Sequence, residues 1–178
     1  PDGLMITLRA LHFDAGKHKM DYEHIGIYVG KGYVLSFQES ETDLFAGVRE
    51  RIILQKGRIR KKGADYLAYA LMDTIVDKYY LIIDELELAI EQLEIKILED
   101  GDRQLKGNIH NLKQEMLLAR RSVAPLREVV NGFNRLSSNI VSETTMVFLR
   151  DLSDHIVQVT DLIETYRDML NSLHDLYL

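Results

Sequence analysis

The sequence predicts an α/β fold in which a small sheet near the N-terminal end is followed by long helices. Ile25, Ile27 and Val29 alternate with glycine and tyrosine, which is typical of a β-strand with one buried face. Apolar residues then recur at helical spacing over residues 67–97. Over residues 149–177 their spacing alternates between three and four without a slip, which is the period of a helix packed along a straight seam.

Two stretches of β-type sequence define the predicted sheet. They cover residues 4–14 and 25–38, and Lys31 and Gly32 inside the second stretch form a turn signal. Because a short turn joins neighbouring strands, we predict an antiparallel hairpin or meander at this end of the chain.

Two helices are predicted directly after the sheet. The first is short and covers residues 43–54, with Asp43 as its N-terminal cap and Gly57 as its stop. The second is long, covers residues 64–100 and ends at Gly101. Its apolar stripe is flanked by many Asp and Glu residues, so its outer faces should be strongly acidic.

The remaining helices are also long. One is predicted over residues 104–131 with a bend near Pro125, and a helix-breaking link follows over residues 132–142. The last helix should start near Thr144. Helices of this length exceed the globular average of about 11–12 residues, which indicates a stalk, an oligomer or an approach to a membrane.

The charge of the chain is divided unevenly. The net charge is −6, yet residues 49–62 contain seven basic residues and one acid. The remainder therefore carries a large acidic excess on its helices, which argues against a nucleic-acid binder and favours attraction of cations. The basic run over residues 56–62 lacks interleaved aromatic residues, so we favour a basic loop facing the acidic helices over a phosphate or nucleic-acid patch.

The composition also limits the chemistry that the chain can perform. No cysteine is present, so disulfides, thiolate metal sites and cysteine nucleophiles are all excluded, as is common in a reducing compartment. Neither a glycine-rich phosphate loop nor a Ser-His-Asp set nor a nucleophile elbow occurs in the sequence. We therefore do not expect an enzyme.

Carboxylates at helical spacing are the candidate functional residues. Asp151, Asp154 and His155 share one face of the last helix and offer ligands for a divalent cation such as Mg²⁺ or Ca²⁺. Asp73 and Asp77 form a second pair, whose repulsion a cation would relieve. From spacing alone we favour a solvated surface for both sets, because an outer row of acids recurs every seven residues: Asp154, Asp161, Asp168 and Asp175.

Several segments, in order along nearly the whole chain, resemble the CorA family of divalent-cation (Mg²⁺ and Co²⁺) transporters. They read VLSFQE, DLFAGVRERI, GRIRKKGADYLAYAL, LMDTIVDKYY, APLREVV, FLRDLSDHI and TDLIETYRDMLNSLHDLYL. The resemblance implies part of an α/β/α sandwich in residues 1–62, an acidic helical pair in residues 63–142, and the start of a long stalk helix in residues 143–178.

The resemblance also implies a larger assembly. In the family the stalk helix continues into the first membrane span, and five copies form a funnel that leads to the pore. The family's Gly-Met-Asn signature and both spans are absent from this sequence, and the apolar seam runs uncapped to Leu178. We therefore expect a piece of a longer homopentameric, multi-pass protein of the inner (plasma) membrane, with this piece on the cytoplasmic side.

The family's regulatory metal site suggests specific residues and a function. In relatives an Asp of the stalk helix and an Asp of the acidic helix hold Mg²⁺ between protomers, and these correspond to Asp151 and Asp73. Asp77 and Asp154 are added only because they lie near these two, and Co²⁺ or Ca²⁺ can replace Mg²⁺. The implied function is a sensor and gate for Mg²⁺ influx. The alternatives are the corresponding domain of a Zn²⁺ transporter and a coiled-coil scaffold that binds no metal.

Overall fold

The structure is a computed structural model that describes residues 3–100, 103–136 and 139–178. Within these described residues three strands precede five helices, which confirms the predicted mixed α/β class. The elements are β1 (Gly3–Asp14), β2 (Lys19–Gly30), β3 (Val34–Gln38), α1 (Ala46–Ile53), α2 (Ala64–Asp100), α3 (Gln104–Val123), α4 (Leu126–Leu136) and α5 (Glu143–Tyr177).

The sheet is an antiparallel meander in the order β1-β2-β3, as the turn signals predict. Its register places Ile6 opposite Ile27 and Leu8 opposite Ile25. The second strand begins at Lys19, six residues before the predicted start. The early part of β2 was missed because most of its residues are polar and exposed, so its sequence lacks the apolar alternation of a half-buried strand.

One face of the sheet packs on the helices, and the other carries large exposed side chains. Ile25, Ile27 and Val29 on the inner face are fully buried. The helices α2 and α3 contact both β1 and β2, and α4 contacts β1. The outer face exposes the large side chains of Met5, Leu35 and Phe37. Within the described residues, the α/β/α arrangement is therefore represented by the sheet and one helical layer.

The short helix α1 differs from its prediction at both ends. It starts at Ala46 after Phe45, while the Asp43 carboxylate accepts a hydrogen bond from the Phe45 amide at 3.3 Å in the preceding turn. It ends at Ile53, because Gln55 adopts a left-handed conformation with φ of 54° that closes the helix before Gly57 is reached.

The long helix α2 spans Ala64–Asp100, the bounds predicted from its apolar stripe. The predicted stop, Gly101, lies outside the described residues. α2 and α5 run in the same direction, because Asp65 contacts Ser142 near their first turns and Tyr80 contacts His155 farther along. Two helices of this length, packed side by side, give the molecule a long flank on which carboxylates from both can meet.

The predicted helix over residues 104–131 is two helices. α3 ends at Val123 and α4 begins at Leu126, because Pro125 has no amide hydrogen and cannot continue the helical ladder. Gly132 lies within α4, so the predicted link over residues 132–142 is too long at its N-terminal end. A glycine in a helix is tolerated when the apolar neighbours are well buried, as Val130 and Phe133 are here.

The apolar seam of α5 is buried inside the chain itself. Leu152, Ile156 and Val159 are completely inaccessible to solvent, and α5 packs against α2, α3 and α4. The seam therefore belongs to the core of a helical bundle within one chain. Among the described residues, no helix has the length and apolar character needed to cross a membrane.

The N-terminus of α5 is fixed by hydrogen bonds from two directions. The Ser142 hydroxyl accepts from the Thr145 amide at 3.3 Å, and the Asp65 carboxylate of α2 accepts from the Ser142 amide at 2.8 Å. Burial alone would raise the pKa of Asp65, but hydrogen bonds from Ser142, Thr145 and Tyr66 outweigh it and leave the pKa lowered. This contact sets the relative position of α2 and α5.

Candidate metal centre

Asp73 and Asp77 of α2 lie one turn apart on the side of the helix that faces α5. Asp73 is half-buried and Asp77 is exposed. Burial and the neighbouring charge of Asp77 raise the pKa of Asp73 to about 6, although His155 and Arg51 partly oppose the rise. Burial also raises the pKa of Asp77, against the effect of His155. Both carboxyl groups are therefore harder to ionise than a free aspartic acid, and burial is the main cause.

His155 of α5 stands beside this pair. Its ring meets the Tyr80 ring edge-on at a centroid distance of 6.2 Å, and the Tyr80 hydroxyl donates to the Gln158 side-chain oxygen at 2.8 Å. The Nδ1 atom of His155 is buried and has no hydrogen-bond partner among the described residues. His155 therefore packs against α2 through the Tyr80 ring, and its charge acts on Asp73 and Asp77.

Tyr69 connects the α2 carboxylates with Asp151. Burial raises the pKa of the half-buried Tyr69 phenol, and the charges of Asp73, Asp151 and Asp77 raise it further. The Tyr69 ring also packs against Phe148 at a centroid distance of 5.4 Å, one turn before Asp151 on α5. The charges of three of the four predicted site residues therefore act on one phenol, where α2 packs against α5.

Asp154, the fourth predicted residue, is not among the charges that act on Tyr69. It is exposed on the outer face of α5, in the row that continues through Asp161 and Asp168. Among the described residues, nothing joins Asp154 to the other three carboxylates. Asp151 is also exposed, so the α5 side of the junction is open to solvent or to another molecule.

The carboxylates on α2 and α5 are of the chemical type that binds hard divalent cations in proteins. Within residues 3–100, 103–136 and 139–178, no group of three or more His, Asp or Glu side chains is placed to hold a metal ion. None of Asp73, Asp77 and Asp151 is in an ion pair in that part of the chain. Carboxylate oxygens suit Mg²⁺, so these residues fit the ion chemically, but further ligands must come from outside the described residues.

Sequence reasoning missed the aromatic residues that shape this junction. Tyr69 follows Tyr66 at helical spacing and lies one turn before Asp73, while Tyr80 lies one turn after Asp77. Tyrosines that flank acidic residues along one helix were the available signal. Their contacts with Phe148 and His155 depend on α5 and were not readable from α2 alone.

The basic run over residues 56–62 is next to the start of α5. The Lys62 ammonium donates to the Thr144 hydroxyl at 3.1 Å, and the Arg58 guanidinium lies 5.2 Å from the centre of the Phe148 ring. Ile59 within the run is buried. The run therefore packs as a loop on the helices. Its position agrees with the interpretation as a basic loop facing the acidic helices rather than with a phosphate patch.

Comparison with known proteins identifies the family. The whole chain, residues 1–178, matches the family described as CorA-like Mg²⁺ transporter protein. The cobalt/magnesium transport protein CorA of Thermotoga maritima is 36% identical over 175 residues, covering 98% of this chain and 50% of that protein. CorA of Methanocaldococcus jannaschii is 26% identical over 155 residues, covering 86% of this chain and 49% of that protein. The chain spans about half the length of these relatives.

Solved structures share the fold. The complete CorA magnesium transporter of Methanocaldococcus jannaschii matches with a TM-score of 0.85 at 25% identity, over 98% of this chain and 55% of that chain. The soluble domain of CorA from the same organism matches with a TM-score of 0.83 at 24% identity, over 98% and 69% of the two chains. The ZntB cytoplasmic domain of Vibrio parahaemolyticus matches with a TM-score of 0.78 at 16% identity, over 98% of this chain and 68% of that chain. The last two likenesses show the fold alone.

These findings confirm the family resemblance drawn from the sequence motifs. The family is one of transporters, in agreement with the expectation that the chain is not an enzyme. Since the family match covers every residue and the Thermotoga protein is 36% identical over nearly the whole chain, this chain belongs to the CorA-like Mg²⁺ transporter family.

Proposed function

We propose that this chain is the metal-sensing and gating domain of a divalent-cation transporter that carries Mg²⁺ and Co²⁺. Its family membership and the names of its relatives support the transported ions. The observation that carries the sensing role is that the charges of three carboxylates, Asp73, Asp77 and Asp151, act together on Tyr69 where α2 packs against α5.

The proposed mechanism uses the repulsion already present at this junction. The raised pKa of Asp73 reports the cost of placing its charge near Asp77 in a half-buried position. A divalent cation lowers that cost by bridging carboxylates, and an exposed Asp151 allows the bridge to include a neighbouring copy of the chain. The ion then favours whichever arrangement of copies brings the carboxylates together, because a ligand shifts an equilibrium only through its different affinity for the two states.

The assembly and its location follow from the same proposal. Five copies would surround a pore at the inner membrane, with this domain on the cytoplasmic side and the membrane spans in sequence beyond this chain. High cytoplasmic Mg²⁺ would hold the copies in the closed arrangement. Loss of Mg²⁺ would let the like-charged faces separate and open the pore.

The proposal is tested by neutralising Asp151 in the full-length transporter that carries this chain. Asp151→Asn keeps the size and one acceptor oxygen but removes the charge that Mg²⁺ requires, so Mg²⁺ should protect the domain less from proteolysis. Asp73→Asn should act in the same direction. Asp161→Asn removes an exposed carboxylate of the same helix and serves as the matched control.

The decisive measurement is the Mg²⁺ concentration at half-maximal protection. We expect Asp151→Asn to raise this midpoint about tenfold, which corresponds to roughly 1.4 kcal/mol of binding free energy. If Asp151→Asn and Asp161→Asn share the midpoint of the parent, Asp151 is part of a solvated face and the sensing role is wrong.

The alternatives are the corresponding domain of a Zn²⁺ transporter and a coiled-coil scaffold that binds no metal. The likeness to the ZntB cytoplasmic domain concerns the fold alone, and calorimetric titration with Mg²⁺, Co²⁺ and Zn²⁺ separates a zinc-specific domain from the proposed one. The scaffold interpretation required the α5 seam as an oligomerisation surface. That surface is occupied within the chain, since Leu152, Ile156 and Val159 are fully buried in it.

A further inference from the structure

A row of large apolar side chains lies on the outer face of α2, opposite the face that packs on the core. Leu81, Leu88 and Ile95 recur every seven residues, and Leu98 follows one turn later. Each of these four residues is more than half exposed. The row begins one turn after Asp77, on the side of α2 that carries this carboxylate of the candidate metal centre. Apolar residues at seven-residue spacing are typical of a helix that packs along a second helix.

Acidic residues border this row on both sides. Asp84 and Glu91 lie along one side of it, and Glu85 and Glu99 lie along the other. All four are exposed, and within the described residues none of them forms an ion pair. A helix suited to this face combines an apolar residue with basic neighbours, because opposite charges across a contact select the partner and its register.

The helix α3 carries a surface of this kind. Its outward residues follow one another after four, three, four and four positions, so they share one face: Lys106, His110, Lys113, Leu117 and Arg121. Within one copy this face cannot meet the row on α2, because both faces point away from the core to which the two helices contribute. A second copy of the chain therefore offers the matching surface.

The two faces also match in height along α5, the helix that packs against both α2 and α3. Glu87 of α2 contacts Tyr166 of α5. The Arg120 guanidinium of α3 contacts the Glu164 carboxylate of α5 at 2.7 Å. Since Glu164 and Tyr166 are two residues apart on one helix, Glu87 and Arg120 lie within about 3 Å of the same height.

Counting along the helices from these two contacts gives the register of the two faces. α2 runs parallel to α5, whereas α3 runs antiparallel to it, because His110 and His174 line one groove beyond the Arg120 contact. Each residue adds about 1.5 Å of height. The residues at equal height are then Arg121 with Glu85, Leu117 with Leu88, Lys113 with Glu91, and Lys106 with Glu99. Basic residues thus come level with acidic ones, and leucine comes level with leucine.

We propose that the apolar and acidic face of α2 packs against the basic face of α3 of a second copy of the chain. Two different faces meet in this contact, so its repetition closes a ring instead of forming a symmetric pair. Copies in such a ring stand at one height, so the residues at equal height are those that meet. The helices lie side by side along the ring axis, which lets the two rows touch over their length. The inference rests on the proposed function, because it assigns a contact within the ring of copies proposed there.

The test is disulfide cross-linking in the full-length transporter that carries this chain. Residues 1–178 contain no cysteine, and any cysteine outside them is replaced by serine. On oxidation, Leu88→Cys/Leu117→Cys should give a ladder of linked chains up to the complete ring, because each copy offers one thiol to each neighbour. Either single variant should give no linked chains. Linked pairs from Leu88→Cys alone would overturn the proposal, since α2 would then face α2.

A matched control uses a different helix at the same height. Asp168 lies on the exposed outer row of α5, within about one turn of the height of Leu88 and Leu117. Leu88→Cys/Asp168→Cys should therefore give no ladder. A ladder from this control and none from Leu88→Cys/Leu117→Cys would overturn the proposal and identify α5 as the partner of α2. The absence of a ladder from both pairs, in a transporter whose copies stay associated, would also refute it.

A charge exchange tests the register. In the Leu88→Cys/Leu117→Cys background, Glu91→Lys should slow linkage about fivefold, because it places two positive charges at one height. Adding Lys113→Glu should restore the rate. Glu94→Lys changes an exposed acid on the other side of α2 and should leave the rate unchanged. Equal slowing by Glu91→Lys and Glu94→Lys, or failure of the exchange to restore the rate, would show that net charge and not this contact controls linkage.

The result is separable from the metal-sensing role. Asp151→Asn in the cysteine-pair background should still give the ladder, because Asp151 belongs to neither of the two faces. A missing ladder together with the expected rise of the Mg²⁺ midpoint in Asp151→Asn refutes only the contact. A complete ladder together with an unchanged Mg²⁺ midpoint in Asp151→Asn supports the contact and refutes only the sensing role.

Discussion

Asp73→Asn should stabilise the chain at neutral pH in metal-free buffer. Asp73 is half-buried beside Asp77, and its pKa is raised from 3.8 to about 6, first by burial and then by that neighbour. An acid whose pKa is higher in the folded state than in the unfolded state destabilises the fold once it is ionised. Replacing it with a neutral side chain of the same shape removes this penalty.

The magnitude follows from the two pKa values of Asp73. A rise from 3.8 to about 6 corresponds to about 3 kcal/mol at a pH well above both values. Because the carboxylate is partly exposed, solvent screening reduces the expected gain to about 1–2 kcal/mol. For a chain of this size the gain raises the melting temperature by roughly 2 to 8 °C.

The pH dependence distinguishes this cause from a general packing effect. Well below its ordinary pKa of 3.8, Asp73 is protonated in both states, so the parent and Asp73→Asn should be equally stable. As the pH rises through 4 to 6 the parent loses stability relative to the variant, and above that range the difference stays constant. Thermal melts at closely spaced pH values measure this, with Asp161→Asn as the exposed control.

Mg²⁺ should reverse the order of stability of the parent and Asp73→Asn. Mg²⁺ binds the charged parent better than the variant, so saturating Mg²⁺ should raise the melting temperature of the parent more. If Asp73→Asn is destabilising at pH 7 without metal, or if its effect does not change with pH, then Asp73 carries no electrostatic penalty and the reasoning fails.

Two further predictions concern the core and the helix start. Ile156→Ala, at a fully buried position of α5, should lower the free energy of unfolding in urea by about 2–5 kcal/mol. The control Val147→Ala, at a side chain that is 54% exposed, should lower it by less than about 0.5 kcal/mol. Similar losses in the two variants would show that the seam is not in the core. Asp65→Asn should cost about 1.5–3 kcal/mol, since its carboxylate accepts the Ser142 amide at 2.8 Å, and should speed hydrogen exchange in the first turn of α5. Unchanged exchange there would show that the contact does not hold the helix start.

The sequence alone predicted a helix correctly wherever the spacing of its apolar residues marks the face that is buried in the fold. The apolar stripe of α2 predicted its bounds, and the seam of α5 predicted its buried residues, because a regular period leaves one face to be covered. The outer row of Asp154, Asp161, Asp168 and Asp175 is exposed, because it lies on the side of α5 away from the apolar seam.

Local patterns failed where other parts of the chain compensate for them. The polar start of β2 pairs with β1 through backbone hydrogen bonds that do not depend on side-chain type. Gly132 remains helical because its neighbours Val130 and Phe133 are buried. The helix α1 is closed by Gln55 in a left-handed conformation, which the sequence does not reveal because glycine is the residue usually expected there.

The candidate site shows the same division between sequence and structure. Family resemblance identified Asp73 and Asp151, and helical spacing added Asp77, because those signals lie within single segments. The position of Tyr69 among the three carboxylates, and the position of His155 beside the α2 pair, depend on how α2 and α5 pack side by side. Spacing along one helix fixes only which residues share a face. The partner of that face is set by the packing of the whole chain, and here the contact between Asp65 and Ser142 joins the first turns of the two helices.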